Sequence, residues 1–169
     1  MDENNVGAQP QNATAQVLRN FTFFGSYDHT IDAKGRIIIP NAYRASLGET
    51  FTVSITRDGE GIALYPDAVF DEMLIELSTL NQRNLTVQRY QAYLAKMSFR
   101  GMQADSQGRL LLPGKLKQYV LGSAKDVEIS GAIDHIRIED VNTATESIEF
   151  FKQNRVSILD EIAGMGKEP

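Results

Sequence analysis

The chain has 169 residues, 42% of them hydrophobic and 23% charged, with a formal net charge of −5 and no cysteine. That size and mix describe one soluble domain or two small fused ones, and exclude disulfides, thiolate nucleophiles and thiolate metal sites. No apolar run approaches the ~18 residues a membrane helix needs, and no basic-then-apolar leader opens the chain, so a cytoplasmic protein without membrane contact is expected.

Residues 1–22 are rich in Asn, Gln and Ala without apolar periodicity, and are expected to form a disordered extension. Tyr27, His29 and Ile31 then alternate with Ser26, Asp28 and Thr30, the period-two pattern of a strand. Residues 32–35 form a turn, because Asp bonds the backbone ahead of it and Gly accepts positive φ. The aliphatic run 37–39 predicts a short strand, apolar on both faces and therefore central in a sheet, which Pro40 ends. A helical turn over 41–47 stops at Gly48, and strands at 51–56 and 62–65 are joined by the turn 57–61. Val69, Phe70, Met73, Leu74, Leu77 and Leu80 make one helix face opposite Asp71, Glu72 and Glu76. A second helix over 86–97 places Val87, Tyr90 and Leu94 on one side. Near the end, Ile148, Phe151, Ile158 and Ile162 form a stripe of near-heptad spacing, expected to pack on its own domain, with a neighbouring subunit as the alternative. Residues 164–169 read as a frayed tail.

An internal repeat organises these elements. Asp32-Ala33-Lys34-Gly35-Arg36-Ile37-Ile38-Ile39-Pro40 recurs 73 residues later as Asp105-Ser106-Gln107-Gly108-Arg109-Leu110-Leu111-Leu112-Pro113. Leu47-Gly48 and the pair Ile62/Leu64 recur at an offset of 74, as Leu121-Gly122 and Ile136/Ile138. One loop insertion accounts for the drift, and the agreement marks a duplication. The expected division is an extension (1–22), repeat one (24–70), linker helices (71–97), repeat two (98–143), a C-terminal helix (144–163) and a tail (164–169). A half of ~45 residues buries too little surface to fold unaided, so both halves must complete one compact barrel with interleaved hairpins.

Each repeat carries an acid and an arginine four residues apart, Asp32/Arg36 and Asp105/Arg109. Two roles stay open for the aspartates: capping the turn structurally, or orienting the arginine for a ligand. Arginine presents five donors in a planar fork, enough to hold a carboxylate and still face outward. The basic tips Lys34-Gly35-Arg36 and Gly108-Arg109 are therefore candidates to meet a phosphate backbone or a guanine edge. Local charge agrees. Five bases from Lys96 to Lys117 (with Arg100, Arg109 and Lys115 between) stand against Asp105 alone, whereas one base stands against six acids from Arg57 to Glu76. Binding to a polyanion follows such local fields, not the net charge. Arg100, Lys115 and Lys117 are candidate peripheral contacts.

The paired Asp-x-x-x-Arg turns, each followed by three aliphatics and a proline, resemble those of the MraZ family, tandem relatives of the SpoVT/AbrB swapped-hairpin proteins. The opening stretch Phe24-Gly25-Ser26-Tyr27-Asp28-His29-Thr30-Ile31-Asp32-Ala33-Lys34-Gly35-Arg36 is similar to the family's start almost position by position. The resemblance implies an α+β fold, a duplicated SpoVT/AbrB-like swapped-hairpin β-barrel with flanking helices. It also implies a bacterial transcriptional regulator, in the cytoplasm and nucleoid, that binds short tandem promoter repeats ahead of the division and cell-wall gene cluster as a ring. Lys34, Arg36 and Arg109 would contact double-stranded DNA, and Asp32, Gly35, Asp105 and Gly108 would shape the turns. No cofactor, metal or small-molecule substrate is implied. Copy two has Gln107 where copy one has Lys34, so its tip carries one charge fewer.

Rival chemistries fit less well. A proton-sharing dyad of Asp32 and Asp105 needs desolvated carboxylates without cations, but an arginine follows each at i+4. The two histidines, His29 and His135, are not at equivalent repeat positions, and each is expected at a strand edge as a hydrogen-bonding residue. The remaining alternative is a ring-forming protein-interaction module without DNA binding, docking through its acidic helices.

Overall fold

The structure, a computed structural model, describes residues 22–166. The extension expected over 1–22 lies outside the described residues except for Thr22, whose N–H bonds the carbonyl of Ile133. The last three residues of the expected tail also lie outside them.

Among the described residues eight strands and five helices follow one another: β1 (Ser26–Thr30), β2 (Arg36–Ile38), α1 (Asn41–Leu47), β3 (Phe51–Ile55), β4 (Ile62–Pro66), α2 (Asp67–Ser78), α3 (Leu85–Lys96), β5 (Phe99–Met102), β6 (Arg109–Leu111), α4 (Gly114–Val120), β7 (Asp126–Gly131), β8 (Ile136–Asp140) and α5 (Val141–Met165). The fold is mixed α+β. Six strands make one antiparallel sheet in the order β1-β7-β8-β4-β3-β5, and β2 pairs with β6 in a separate two-stranded ribbon. Pairing crosses between the halves of the chain at β1 with β7, β2 with β6, β3 with β5 and β4 with β8. Strands from both halves must therefore be present before the sheet is complete.

The sheet is not closed as a barrel, contrary to the expectation. Pro40 and Pro113 stand two residues beyond the ends of β2 and β6, and a residue without an N–H cannot extend a ladder. The ribbon therefore stops at three residues per strand and lies apart from the sheet, leaving β1 and β5 as edges.

The main core lies between the sheet and this ribbon. Phe51, Val53, Ile55, Ile62, Leu64, Val127, Ile129, Ile136 and Ile138 of the sheet meet Ile37, Ile39, Tyr43, Leu47, Leu110, Leu112, Leu116 and Leu121. A smaller cluster on the opposite face joins Ala63 and Tyr65 to Val69 and Phe70 of α2. Tyr43 ties α1 to the start of β1. Its hydroxyl donates to the carbonyl oxygens of Phe24 and Gly25, and its ring meets Phe23 and Tyr27 edge-on.

Several expectations need correction. The aliphatic run after Arg36 is not a central strand: Ile37 and Ile39 are buried, but Ile38 is 47% exposed on the outer face of the ribbon. On α3, Leu94 is buried and Tyr93 packs against the core, while Tyr90 is exposed, because the helix meets the body of the protein along Leu94 and Tyr93. Leu80 lies beyond the end of α2 and is exposed. The stripe on α5 does not pack on its own domain. Ala144 is the buried residue of this 25-residue helix and Ile158 is half-buried, whereas Ile148, Phe151 and Ile162 stand exposed. The helix also runs through Gly164 to Met165. His29 lies in the edge strand β1, and His135, just before β8, bonds Asp134 and stacks on Tyr65. Among the described residues no helix is long and apolar enough to cross a membrane.

Candidate nucleic-acid interface

Both tips are built by the same bonds. Asp32 Oδ1 accepts the backbone N–H groups of Lys34 and Arg36, each at 2.9 Å, and its Oδ2 accepts Nε of Arg36 at 2.7 Å. Asp105 repeats this with Gln107 and Arg109: two backbone bonds of 2.9 Å and one to Nε of 2.6 Å. The backbone closes each turn, with Gly35 N–H donating to Asp32 O and Gly108 N–H to Asp105 O. Both glycines have φ of +79°, in the region that side chains disfavour.

These bonds settle the ionisation of the aspartates. The backbone N–H of Arg36, with its side chain and the N–H of Lys34, outweighs desolvation and holds the Asp32 carboxyl below its usual range. The backbone and side chain of Arg109 do the same for Asp105. Each carboxylate is thus bound to its own cation and ionised, which is incompatible with a shared proton.

The clamp uses only Nε of each guanidinium. Among the described residues, the Nη atoms of Arg36 and Arg109 make no hydrogen bond, and the two side chains are 28% and 35% exposed. An arginine held by Nε presents its two Nη groups as a fork, the geometry that matches guanine O6 and N7 or a phosphate.

Register places both forks on one surface. In the ribbon Arg36 lies opposite Leu111, Ile37 opposite Leu110 and Ile38 opposite Arg109. Directly opposed residues, and residues two apart on one strand, share a face. Arg36, Ile38, Arg109 and Leu111 therefore form the outer face, and Ile37 and Leu110, at 1% and 0% exposure, form the inner one. The backbone positions of the arginines sit on one diagonal of this face and those of the aliphatics on the other.

Lys34 is exposed on the first tip. Lys117 lies beside it, its Cδ at ordinary contact distance from a Cβ placed on Gly35. Lys115 is exposed on α4. Arg100 is not with them. It lies on the edge strand β5, paired with Asp71 at 2.6 Å and 5.8 Å from the Phe70 ring centre. The sequence reading missed Arg44, whose guanidinium packs against Gly108 while its Nε donates to Ile39 O at 2.9 Å. The 73-residue offset aligns Arg44 with Lys117, and that signal would have found it. Ile38 and Leu111 were also missed as surface residues, because three aliphatics in a row look buried when the partner strand is unknown. Among the described residues no cluster of His, Cys, Asp and Glu is arranged to hold a metal.

Comparison with known proteins identifies relatives of the chain. A family profile described as "MraZ protein, putative antitoxin-like" matches residues 22–92. A protein of Lachnoclostridium phytofermentans named transcriptional regulator MraZ is 37% identical over 143 residues, covering 83% of this chain and 92% of its own. Proteins of the same name from Acetivibrio thermocellus and Mycolicibacterium gilvum are 34% and 32% identical, covering 85% and 84% of this chain and 99% and 97% of theirs. Relatedness of this extent, over nearly the whole length of the relatives, means that the chain belongs to the MraZ family.

Proposed function

We propose that the chain is a sequence-specific regulator of transcription, with no catalytic step, that inserts the β2–β6 ribbon into the major groove of double-stranded DNA. A two-stranded β-ribbon fits that groove, ~12 Å wide. The observation that carries the reading is the shared outer face, on which Arg36 and Arg109 are anchored by Asp32 and Asp105 with their Nη groups free. Lys34 contacts phosphate on one side. Lys117 and Arg44, at opposite tips, add flanking charge, and Arg44 offsets the charge missing at Gln107. The relatives named as transcriptional regulators support the same reading.

The finer elements of the proposal are these. The chain is a duplicated swapped-hairpin protein, with repeats at 24–70 and 98–143 joined by the 71–97 helices, acting in the cytoplasm and nucleoid. It assembles as a homo-oligomeric ring on tandem promoter repeats of the division and cell-wall gene cluster. One ribbon supplies few base contacts, and an arginine–guanine pair discriminates by only ~1–3 kcal/mol, so linked subunits on repeated half-sites are needed for useful affinity. The exposed apolar residues of α5, Ile148, Phe151 and Ile162 among them, support self-association.

The test is binding to duplexes selected from random DNA, with one copy or several copies of the selected site. Affinity should fall with salt by a log–log slope near 0.9 per phosphate contact and rise steeply with copy number. The Arg36→Ala/Arg109→Ala variant should remain folded and oligomeric yet lose the DNA. Salt-insensitive or absent binding by the unmodified protein would instead favour an interaction module without DNA.

A further inference from the structure

We infer that Ile38 and Leu111 are specificity-determining residues that read the methyl groups of thymines lying within about two base pairs of the arginine-bound guanines. The inference rests on the DNA-binding reading above and adds the sequence that the ribbon selects. Its basis is a pair of outward-facing apolar side chains. Ile38 is 47% exposed and Leu111 57%, although each sits in a strand whose neighbouring residue is at the centre of the core. They occupy equivalent positions in the two repeats, so the same outward aliphatic stands twice on one small surface.

The surroundings determine what can cover them. Leu111 lies across the ribbon from Arg36, and Ile38 lies across from Arg109. A partner burying the aliphatics must therefore meet two guanidinium forks at the same time. Apolar protein surface cannot do so without leaving charge desolvated. The floor of the major groove can, because guanine offers paired acceptors and thymine a methyl group on the same surface. Each aliphatic adjoins both arginines, one across the ribbon and one along its own strand, so the methyls it reaches belong to bases beside the guanines.

The experiment replaces thymine by deoxyuridine in a selected duplex, which removes the C5 methyl and leaves the hydrogen-bonding edge intact. Each critical replacement should weaken binding by the unmodified protein about four-fold, the worth of one buried methyl, and two should weaken it about fifteen-fold. The Ile38→Ala/Leu111→Ala variant should bind both duplexes equally, still require the guanines, and keep its salt slope. Both side chains are solvent-exposed, so this variant should fold. Should it not, the thymine–deoxyuridine ratio of the unmodified protein decides alone. The inference is overturned if no thymine lies within two base pairs of the selected guanines, or if deoxyuridine costs nothing. It is also overturned if the variant changes oligomer mass without changing the ratio, since the face would then pack on another copy. Failure of the unmodified protein to bind any duplex would sink the underlying reading as well. Binding that depends on Arg36 and Arg109 yet ignores the methyl would sink this inference alone.

Discussion

The guanidinium of Arg44 fills the space that a Cβ on Gly108 would need. A side chain from the first repeat thereby seals the turn of the second, and Gly108 is buried beneath it while Gly35 is not. The backbone ties each turn to the other strand: Ile39 N–H donates to Gly108 O at 2.8 Å and, at the opposite tip, Leu112 N–H donates to Gly35 O at 3.1 Å.

This asymmetry separates two substitutions that look alike in sequence. Gly35→Ala and Gly108→Ala both force a side chain into φ of +79°, which costs on the order of 1–2 kcal/mol. Gly108→Ala must also expel Arg44 and its bond to Ile39 O, adding about 1 kcal/mol. Urea midpoints should therefore rank the unmodified protein above Gly35→Ala, and Gly35→Ala above Gly108→Ala. Equal midpoints for the two variants would show that Arg44 contributes nothing to the turn.

Asp32→Asn and Asp105→Asn test the Nε clamp. An amide oxygen can still accept the backbone N–H bonds of the turn, so the fold should hold. The amide has no charge with which to fix the guanidinium, so DNA affinity should fall about ten-fold per site, near the lower part of the range for a misplaced base contact. Because both carboxyls are held below their usual range, the clamp should stay intact as acidity increases from neutral to pH 5. Affinity titrated over that window, with the same variants as controls, checks both statements.

Acid stability should report a different pair. Burial pushes the Asp58 carboxyl up, but bonds from Arg137, the Thr56 hydroxyl and Glu60 N–H override it and bring it down to about 2. A carboxyl depressed on folding stabilises the protein above its unfolded value near 3.8, and that contribution disappears as pH falls from about 4 to about 2. With Asp58 47% exposed, solvent screening reduces the effect to roughly 1 kcal/mol. Asp58→Asn should therefore lower the melting temperature at pH 7 and converge with the unmodified protein near pH 2.

On α5, Phe151→Glu and Ile162→Glu place charge on exposed positions, so thermal unfolding of the subunit should change by less than about 0.5 kcal/mol. If this face joins subunits, native mass should fall while the circular dichroism spectrum stays constant. An unchanged mass would remove α5 from the assembly.

Most of the local architecture was legible from residue order. Alternation predicted the strand containing Tyr27 and His29, turn chemistry located Asp32–Gly35 and Asp105–Gly108, and prolines marked where β2 and β6 stop. The Asp-x-x-x-Arg clamp was also visible, because an acid and a base four residues apart across a tight turn can scarcely avoid each other. The orientation of 37–39 was not visible. Whether Ile38 faces core or solvent depends on what covers the strand, and its cover on one side comes from residues more than seventy positions away.

Residue order by itself determined the turns, their charge pairs and the recurrence of the motif, because these rest on bonds among near neighbours and on identity of sequence. Only the tertiary structure decided that the two short strands pair with each other, outside the main sheet. That pairing puts Arg36, Arg109, Ile38 and Leu111 on one outward face and brings Arg44 onto Gly108. The reason is physical: a strand of three residues cannot encode its partner, and the packing of a whole core selects it.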